Sequence, residues 1–460
     1  LKLCFWALSR NSEPLSMPPA VMAMAVTVPA QEFSRCATWK ASQGAVAFGA
    51  SRSRCPRRLL GLTLLAVGGR RWSRLRKVQA TRVPRHETAT WPVNDSCEVD
   101  YDEAISSVQQ KAVALILNRN AKGVNKKVEK KLMGIVGPAR TFVCCCEEDA
   151  EHALRKVMAD SECKVVVCGG GDGTVTSLLN LMAKVRGDTA SLASSPTMCV
   201  LRLGTGNALA YLTGAQKNYA EDLESLVQHL SAQENVPEIP TSTLTLTAEG
   251  LPEDTPENTH CFFAGLGYDA RMLQDYMWLR DKTKDNRFLT KMFHNPLGYL
   301  VALALRTLPA TMRGEHVFHV KVTNLADDAF AMDSRRGDWA IKYEKDQVLY
   351  EGETGIMSAG TVPFYGGGFR LFPFAGMRPG YAHIRLSNIH PAVATFNIRP
   401  LWNGNYRNHK YIHDFLVKDV MIEVDRPTPL HHSGDFMGTA SKVRFQVSSD
   451  GQTRLVDFFD

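Results

Sequence analysis

The sequence predicts an α/β protein with two domains, an N-terminal doubly wound α/β domain and a C-terminal antiparallel β domain. Between residues 112 and 230, β-branched runs alternate with helical patterns, and repeated strand–helix units build parallel, doubly wound sheets. After Thr241 the chain changes to strand-rich segments separated by Pro, Gly and charged turns, a pattern typical of antiparallel sheets. The chain has 460 residues, enough for two or three substantial cores.

The predicted elements follow one another with short connections. In the first domain we expect strands at 112–117, 140–144, 163–168 and 198–203, and helices at 124–136, 147–159, 174–185, 207–212 and 220–230. In the second we expect strands at 242–247, 316–323, 354–359, 381–387, 417–424 and 443–447, with helices at 269–280 and 296–307. Ligands of doubly wound sheets bind beyond the carboxyl ends of the strands, which is where Asn118, Asp172 and Asn207 fall.

The first 90 residues carry the positive charge of the chain. They hold 15 Lys and Arg against 3 Glu, whereas the remaining residues hold 39 against 44. This leader is rich in Arg, Ser and Ala, and it contains a short apolar stretch, Leu59–Val67. The composition is compatible with a targeting segment for a plastid or mitochondrion and with a disordered tail that carries no address. Because the chain begins with Leu1, a fragment or untranslated codons ahead of Met17 are further alternatives.

Charge, hydropathy and cysteine usage exclude several classes of protein. The mildly acidic body has no positive stripe, so we expect no nucleic-acid partner. No segment reaches about 18 uninterrupted apolar residues, so no transmembrane helix is predicted. The eleven cysteines form no Cys-x-x-Cys pair, which favours reduced thiols without a zinc site. The predicted organisation is a leader and linker at 1–105, an α/β domain at 106–240 and a β-rich domain at 241–450.

The most informative segment is a glycine turn around one aspartate. The β-branched run at 165–167 leads into Gly169, Gly170 and Gly171, then Asp172, Gly173 and Thr174, and a helical pattern follows. A buried strand that feeds such a turn and a helix N-terminus provides backbone amides for a phosphate. A carboxylate beside bound phosphate needs a screening metal ion or a proton to accept, so Asp172 indicates Mg-nucleotide chemistry. For this turn alone, a plain tight strand–helix connection remains an equal alternative.

Two further turns follow neighbouring predicted strands. The run at 200–203 leads into Gly204, Thr205, Gly206 and Asn207. Its glycines let backbone amides approach an oxyanion, while Thr205 and Asn207 add side-chain hydrogen bonds. The first strand ends at Asn118, followed by Arg119 and Lys122. These two cations are candidates to face phosphates or only water.

Five segments, in order along the chain, resemble the diacylglycerol kinase and sphingosine kinase catalytic-domain family. P-loop, Rossmann dinucleotide and α/β-hydrolase interpretations lack their motifs in this chain. The resemblance covers about residues 110–450. It rests on Gly-Gly-Asp-Gly-Thr at 170–174, Gly-Thr-Gly-Asn at 204–207, Gly-Leu-Gly-Tyr-Asp-Ala at 265–270, Asn-Pro-Leu-Gly-Tyr at 295–299 and Tyr-Gly-Gly-Gly at 365–368.

The resemblance implies a lipid kinase, which uses ATP and Mg²⁺ to phosphorylate a lipid hydroxyl such as that of diacylglycerol, a sphingoid base or ceramide. The cleft would lie between the nucleotide-binding α/β domain and an antiparallel β-sandwich domain, with the C-terminal segment returning to the first domain. The expected ATP-binding residues are Asn118, Gly170, Gly171, Gly173, Thr174, Gly204, Thr205, Gly206 and Asn207. Asp172 would hold the metal or take the hydroxyl proton, and Asp269 would contact the polar head of the lipid. The expected partners are a lipid substrate and a membrane surface to which the protein binds peripherally. If the leader carries no address, the expected location is cytoplasmic. The oligomeric state is open.

Three features of the chain leave alternatives open. The family's acidic pair near the C-terminus is reduced here to Ser433-Gly434-Asp435, so Asp435 either does that work alone or does none. His431 and His432 next to it are interpreted as solvated loop histidines. The apolar helix at 296–307 is compatible with an acyl-chain pocket and with a plain buried helix. Competing functions are an NAD kinase-like enzyme, which shares the Gly-Gly-Asp-Gly-Thr turn, and a non-catalytic nucleotide or lipid sensor.

Overall fold

The computed structural model describes residues 111–187, 195–232, 235–251, 258–293, 296–333, 338–448 and 452–459. The predicted leader and linker at 1–105 lie outside the described residues. None of the described helices combines the length and the apolar composition of a membrane-spanning segment.

A six-stranded, mostly parallel sheet forms the first lobe. Its strands are β1 (Val113–Asn118), β2 (Thr141–Cys144), β3 (Val165–Gly169), β4 (Thr197–Val200), β5 (Glu238–Thr241) and β18 (Thr453–Val456). They lie in the order β2-β1-β3-β4-β18-β5. The first four are mutually parallel, and β18 from the end of the chain runs parallel to β4 and antiparallel to β5.

Helices cover both faces of this sheet. They are α1 (Lys126–Val136), α2 (Glu147–Ala159), α3 (Asp172–Arg186), α4 (Ala208–Leu212) and α5 (Tyr219–Ser231). Alternate side chains of β1 enter different cores: Leu115 packs on the face that α1 and α5 cover, and Ile116 on the face that α2 and α3 cover. Helix α1 begins after Asn125, whose side chain accepts hydrogen bonds from the first-turn amides.

A branched sheet of twelve antiparallel strands forms the second lobe. The strands are β6 (Leu244–Glu249), β7 (Thr259–Cys261), β8 (Phe263–Gly267), β9 (Phe318–Asn324), β10 (Asp328–Asp333), β11 (Asp338–Glu344), β12 (Val348–Thr354), β13 (Ile356–Gly360), β14 (Ala382–Ser387), β15 (Ile412–Val417), β16 (Asp419–His432) and β17 (Asp435–Val447). The first half of β16 pairs with β9 and its second half with β8. Residues from nearly all of these strands share one core, so the fold class is confirmed as α/β with a second, antiparallel β lobe.

A helical insert interrupts the second lobe between β8 and β9. It contains α6 (Tyr268–Thr283), α7 (Arg287–Phe293), α8 (Pro296–Ala302), a π-helical turn (Leu303–Thr307) and α9 (Leu308–Met312). Pro309 cannot donate a backbone hydrogen bond to the carbonyl of Leu305, and the widened turn just before it accommodates that loss. Two short helices, α10 (Pro391–Phe396) and α11 (Ile398–Trp402), precede β15.

The insert and the β lobe differ from the sequence-based expectation in two places. Leu305 is 63% exposed, so the interpretation of 296–307 as a plain buried helix is wrong for its last turn. The strand predicted at 417–424 is the junction of two longer strands, because β15 ends at Val417 and β16 continues to His432. The domain boundaries at 105, 240 and 450 stay predictions.

Candidate nucleotide and acceptor site

Three turns meet at the carboxyl edge of the parallel sheet. They follow β1, β3 and β4, which are neighbours in the sheet. Asn118 at the end of β1 donates to the hydroxyl of Thr174 over 3.0 Å, which joins the first turn to the second. Parallel strands place their carboxyl ends along one edge, and this is where such sheets bind ligands.

Glycine is required where the second and third turns touch. A Cβ atom added at Gly171 would lie 3.1 Å from the Cα atom of Gly204, and a Cβ at Gly204 would collide with the backbone of Gly171. Gly170 packs in the same way against the side chain of Thr174. The two turns therefore form one surface of closely packed backbone, which only glycine allows at these positions.

Asp172 and Asn207 are both engaged in holding these turns. The Asp172 side chain is 7% exposed, and its Oδ1 accepts the backbone N–H of Leu209 over 3.1 Å. Asn207 adopts a positive φ of 51°, and its side chain bonds both the N–H and the carbonyl of Gly204, at 2.8 and 2.7 Å. The structure thus gives both predicted site residues a positioning contact within the turns.

A β-hairpin of the second lobe brings Asp435 to the same place. Ser433 and Gly434 have φ values of 45° and 90°, which form the two-residue turn between β16 and β17. Ser433 accepts a 2.7 Å hydrogen bond from Thr176 of α3, with both hydroxyls buried. Just beyond the turn, Asp435 contacts Gly173 of α3. A Cβ atom added at Gly173 would lie 2.5 Å from Oδ2 of Asp435. The hairpin therefore places an exposed carboxylate against the N-terminal turn of α3.

A cavity of about 380 Å³ lies between the three turns and this hairpin. Among the predicted site residues, those that line it are Asn118, Gly171, Gly173, Thr174, Gly204, Thr205 and Asp435. Asp172, Gly170, Gly206 and Asn207 belong to the same turns but do not line the cavity. Lys122, one of the two cations considered from the sequence, also lines the cavity, as does Ser177, which the sequence analysis does not single out. Arg119 instead pairs with Glu129 at 3.1 Å.

A larger cavity of about 560 Å³ lies elsewhere on the first lobe. Lys164, Val165 and Thr197 line it, so it opens at the amino ends of β3 and β4. The glycine turns and Asp435 are at the opposite edge of the sheet. The smaller cavity is therefore the candidate site, because it contains the polar groups that phosphate chemistry needs.

Asp269 lies at the start of α6 in a buried hydrogen-bond network. Its Oδ2 accepts hydrogen bonds from Tyr365 at 3.0 Å and from Ser358 at 3.3 Å, and it lies 2.9 Å from Nε2 of His431. Its Oδ1 accepts the N–H of Ala270. Burial raises the pKa of this carboxyl, but His431 and the hydrogen-bond donors outweigh burial and hold the pKa below its usual value.

The interpretation of His431 and His432 as solvated loop histidines is wrong. Both belong to β16, and the His431 side chain is 0% exposed. Burial, and then the neighbouring His431, lower the pKa of His432 to about 4. The strand continues through these residues because the register shift between Glu423 and Thr428 accommodates Pro427, which cannot donate to a regular ladder.

Tyr299 of the insert lies close enough to Asp435 to be affected by its charge. Its ring stacks on Tyr276 with centroids 3.6 Å apart. Burial, then Tyr276 and then the charge of Asp435 raise the pKa of the Tyr299 phenol above its usual value. The phenol is therefore protonated at neutral pH and is a hydrogen-bond donor near Asp435. No group of three or more His, Cys, Asp and Glu side chains in the described part of the chain could hold a metal ion by itself.

Two solved kinase structures align with this chain at low sequence identity and low TM-score. A diacylglycerol kinase structure from Bacillus anthracis str. Sterne aligns with a TM-score of 0.45 and 15% identity, over 75% of this chain and 97% of that one. The yeast NADH kinase complexed with NADH aligns with a TM-score of 0.35 and 11% identity, over 78% and 79%. A search of curated protein sequences finds no match.

A family profile identifies the first lobe. The profile described as the diacylglycerol kinase catalytic domain matches residues 112–237. This range contains β1 to β4, α1 to α5 and all three turns that meet at the carboxyl edge of the sheet. Residues 112–237 of this chain are therefore similar to the diacylglycerol kinase catalytic domain.

Proposed function

We propose that this protein is a lipid kinase that transfers the γ-phosphate of ATP to a lipid hydroxyl. The observation that carries the proposal is the contact of Asp435 with Gly173. It brings a carboxylate from the second lobe to the phosphate-type turns of the first lobe. Phosphoryl transfer requires mainly positioning, charge neutralisation and one base from a protein. In this proposal the glycine turns supply the positioning, Lys122 and the metal ion of the nucleotide supply the neutralisation, and Asp435 supplies the base.

The nucleotide phosphates are proposed to occupy the cavity of about 380 Å³. The N-terminus of α3 points its first amides at the turn, which favours an anion. Thr174 and Thr205 add hydroxyl donors, and Lys122 adds a positive charge. The residues of the cavity wall are thus proposed to form the ATP site together with Gly170, Gly206 and Asn207 of the same turns.

A Mg²⁺ ion fits this site when it arrives with the nucleotide. Protein-bound Mg²⁺ commonly takes one or two carboxylates and fills its remaining positions with phosphate oxygens and water. Asp172, at the N-terminus of α3, is the carboxylate proposed to hold it, which leaves Asp435 for the proton of the hydroxyl. The ion would supply charge neutralisation to the phosphates, which the single Lys122 in the cavity wall provides only in part.

The two carboxylates have different surroundings, which suggests different roles. Asp435 is exposed at the cavity and is proposed to accept the proton of the attacking lipid hydroxyl. Asp172 is buried and holds α4 through Leu209, so it is proposed to orient the nucleotide turns. Asp269 is proposed as the contact for the lipid head group, which would have to replace Tyr365 or Ser358 as its hydrogen-bond donor.

The test is an assay with radiolabelled ATP on a mixed lipid extract, with the product identified by mass spectrometry. Asp435→Asn should lower the turnover rate by about 10²–10⁴-fold, as expected for loss of a general base, without weakening the fold. Asp172→Asn should lower both turnover and stability, because Asp172 also holds α4. The exposed Asp327→Asn is the matched control and should leave both unchanged.

Each alternative function predicts a different result. Full activity in both variants would overturn the proposed site. Phosphorylation of NAD in place of any lipid would favour an NAD kinase-like enzyme. Binding of Mg-ATP with no product from any lipid would favour a non-catalytic sensor. Loss of activity in Asp172→Asn alone would assign proton transfer to Asp172.

A further inference from the structure

The helical insert exposes large apolar side chains to an unusual degree. Among the described residues, thirteen large hydrophobic side chains are exposed, and six of these lie between residues 277 and 312. Leu305 is 63% exposed and Met312 is 76% exposed. Isolated apolar side chains on a surface need no explanation, but a concentration in one short segment indicates an interaction site.

Five of these side chains flank the contact between α6 and the helical stretch 303–312. Buried Asp275 of α6 accepts a 2.8 Å hydrogen bond from Thr307 and lies 3.4 Å from the guanidinium of Arg306. Arg306 also lies over the Trp278 ring at 4.6 Å. The side chains beside this contact are Met277, Trp278, Leu305, Leu308 and Met312, which together we call the insert surface. Leu308 and Met312 are four residues apart on α9 and so share one face.

The inner side of the same insert reaches the proposed acceptor site. Tyr276 and Tyr299 stack against each other. The charge of nearby Asp435 contributes to the raised pKa of the Tyr299 phenol. Asp269 stands at the first turn of α6. The insert therefore has its polar, buried side at the reacting groups and its apolar, exposed side outside.

Positive charge accompanies the insert surface. Residues 280–291 contain five Lys and Arg against two Asp, in a chain whose part beyond residue 90 is mildly acidic. Arg280, Lys282, Lys284 and Arg287 are exposed. Exposed apolar side chains beside Lys and Arg fit the surface of a bilayer that contains anionic lipids.

We propose that the insert surface docks the protein onto an anionic lipid bilayer. The proposal rests on the proposed lipid kinase function, because it gives the hydroxyl of a membrane-embedded lipid a short route to Asp435. Leu305, Leu308 and Met312 enter the acyl boundary, and Trp278 lies at the head-group level. Arg280, Lys282 and Arg287 face the lipid phosphates. The bilayer then delivers the substrate along the insert to its polar inner side.

The experiment measures co-sedimentation of the full chain with vesicles of phosphatidylcholine, with and without phosphatidylserine, in the absence of ATP. The test variant is Leu305→Ser/Met312→Ser, and the matched control is Ile341→Ser/Met377→Ser, which removes two exposed apolar side chains of β11 and the loop before β14. The test variant should bind phosphatidylserine vesicles about tenfold more weakly than the wild type, because each of its two substitutions removes an apolar contact with the membrane. The control variant should bind as the wild type does.

Kinase activity on lipid dispersed in detergent micelles separates this proposal from the proposed function. The test variant should keep its activity in micelles and lose it on vesicles. Equal vesicle binding by wild type and test variant would overturn the docking surface and assign docking to another part of the chain, the basic leader included. The docking surface would also be overturned if the wild type bound no vesicles. If the test variant changed its oligomeric state while its vesicle binding stayed unchanged, the insert surface would instead be a contact between copies of this chain. Absence of kinase activity in both formats, with the binding difference intact, would count against the proposed function alone.

Discussion

The three acidic residues around the site differ in burial, and burial separates their roles. Asp172 and Asp269 are 7% and 6% exposed and are held by hydrogen bonds, whereas Asp435 is exposed at the cavity. A buried carboxylate with several donors is fixed in position and costly to disturb. An exposed carboxylate beside a glycine turn is accessible to ligand and metal. Residue-level chemistry therefore favours Asp435 for proton transfer and the other two for positioning.

Replacement of Asp269 should destabilise the protein in a pH-dependent way. Asp269→Asn removes the charge that His431 and Tyr365 stabilise, and we expect a loss of about 2–4 kcal/mol in the free energy of unfolding at pH 7. The carboxyl has a lower pKa in the folded state than in the unfolded chain. Its ionised form therefore stabilises the fold above about pH 4, and this contribution disappears as the pH falls through the folded-state pKa.

Urea denaturation of both proteins at a series of pH values checks this expectation. The difference between wild type and Asp269→Asn should be constant at neutral pH and should shrink below about pH 4. Asp327→Asn, an exposed change in the same lobe, should stay within about 0.5 kcal/mol of the wild type throughout. A difference that grows as the pH falls would contradict the network described for Asp269.

At the scale of elements, the contact between the two glycine turns makes the site. Gly204→Ala should separate the turns, because its Cβ atom would collide with the backbone of Gly171. We expect the Kd for ATP to rise by at least about tenfold, with a loss of about 1–3 kcal/mol in stability from the strain of overpacking. Isothermal titration with ATP and urea denaturation measure the two effects.

Gly134→Ala is the control for that substitution. Gly134 lies within α1, and nothing is within 4 Å of an added Cβ atom. The change should stabilise the protein by up to about 1 kcal/mol, because alanine favours helix, and should leave ATP binding unchanged. Normal ATP binding by Gly204→Ala would show that the contact with Gly171 does not shape the nucleotide site.

The sequence predicts the elements of the first lobe well and the hairpin at Asp435 poorly. The helix predicted at 147–159 is observed at Glu147–Ala159, since local periodicity and turn chemistry decide such elements. The second half of β16 was missed because Pro427 and Pro429 indicate a break in a strand. Whether a strand tolerates them depends on a register shift against β17, which is a non-local property. The same pairing of β16 with β17 buries His431 and places Asp435 at the hairpin turn.

At the scale of the whole molecule, two features join the lobes: a common hydrophobic cluster, and a C-terminal strand that belongs to the sheet of the first lobe. After β17 the chain leaves the second lobe, and β18 enters the first sheet between β4 and β5. One hydrophobic cluster contains Phe262, Phe263 and Phe372 from the second lobe and Leu455 from β18. A hairpin that carries Asp435 to the nucleotide turns needs a fixed relation between the lobes, and these shared contacts supply it.

Leu455→Ala should therefore weaken the whole described body, although only five residues follow it in the sequence. Leu455 is 0% exposed and pairs with Met198 of β4 on one side and Ile239 of β5 on the other. Truncation of a buried leucine leaves a cavity and should lower the free energy of unfolding by about 2–5 kcal/mol. Urea denaturation followed by far-UV circular dichroism measures this loss, with Met377→Ala, an exposed change, as the control within about 0.5 kcal/mol of the wild type. A loss below about 1 kcal/mol for Leu455→Ala would mean that the first sheet is stable without β18, so that the C-terminal strand would not be what joins the lobes.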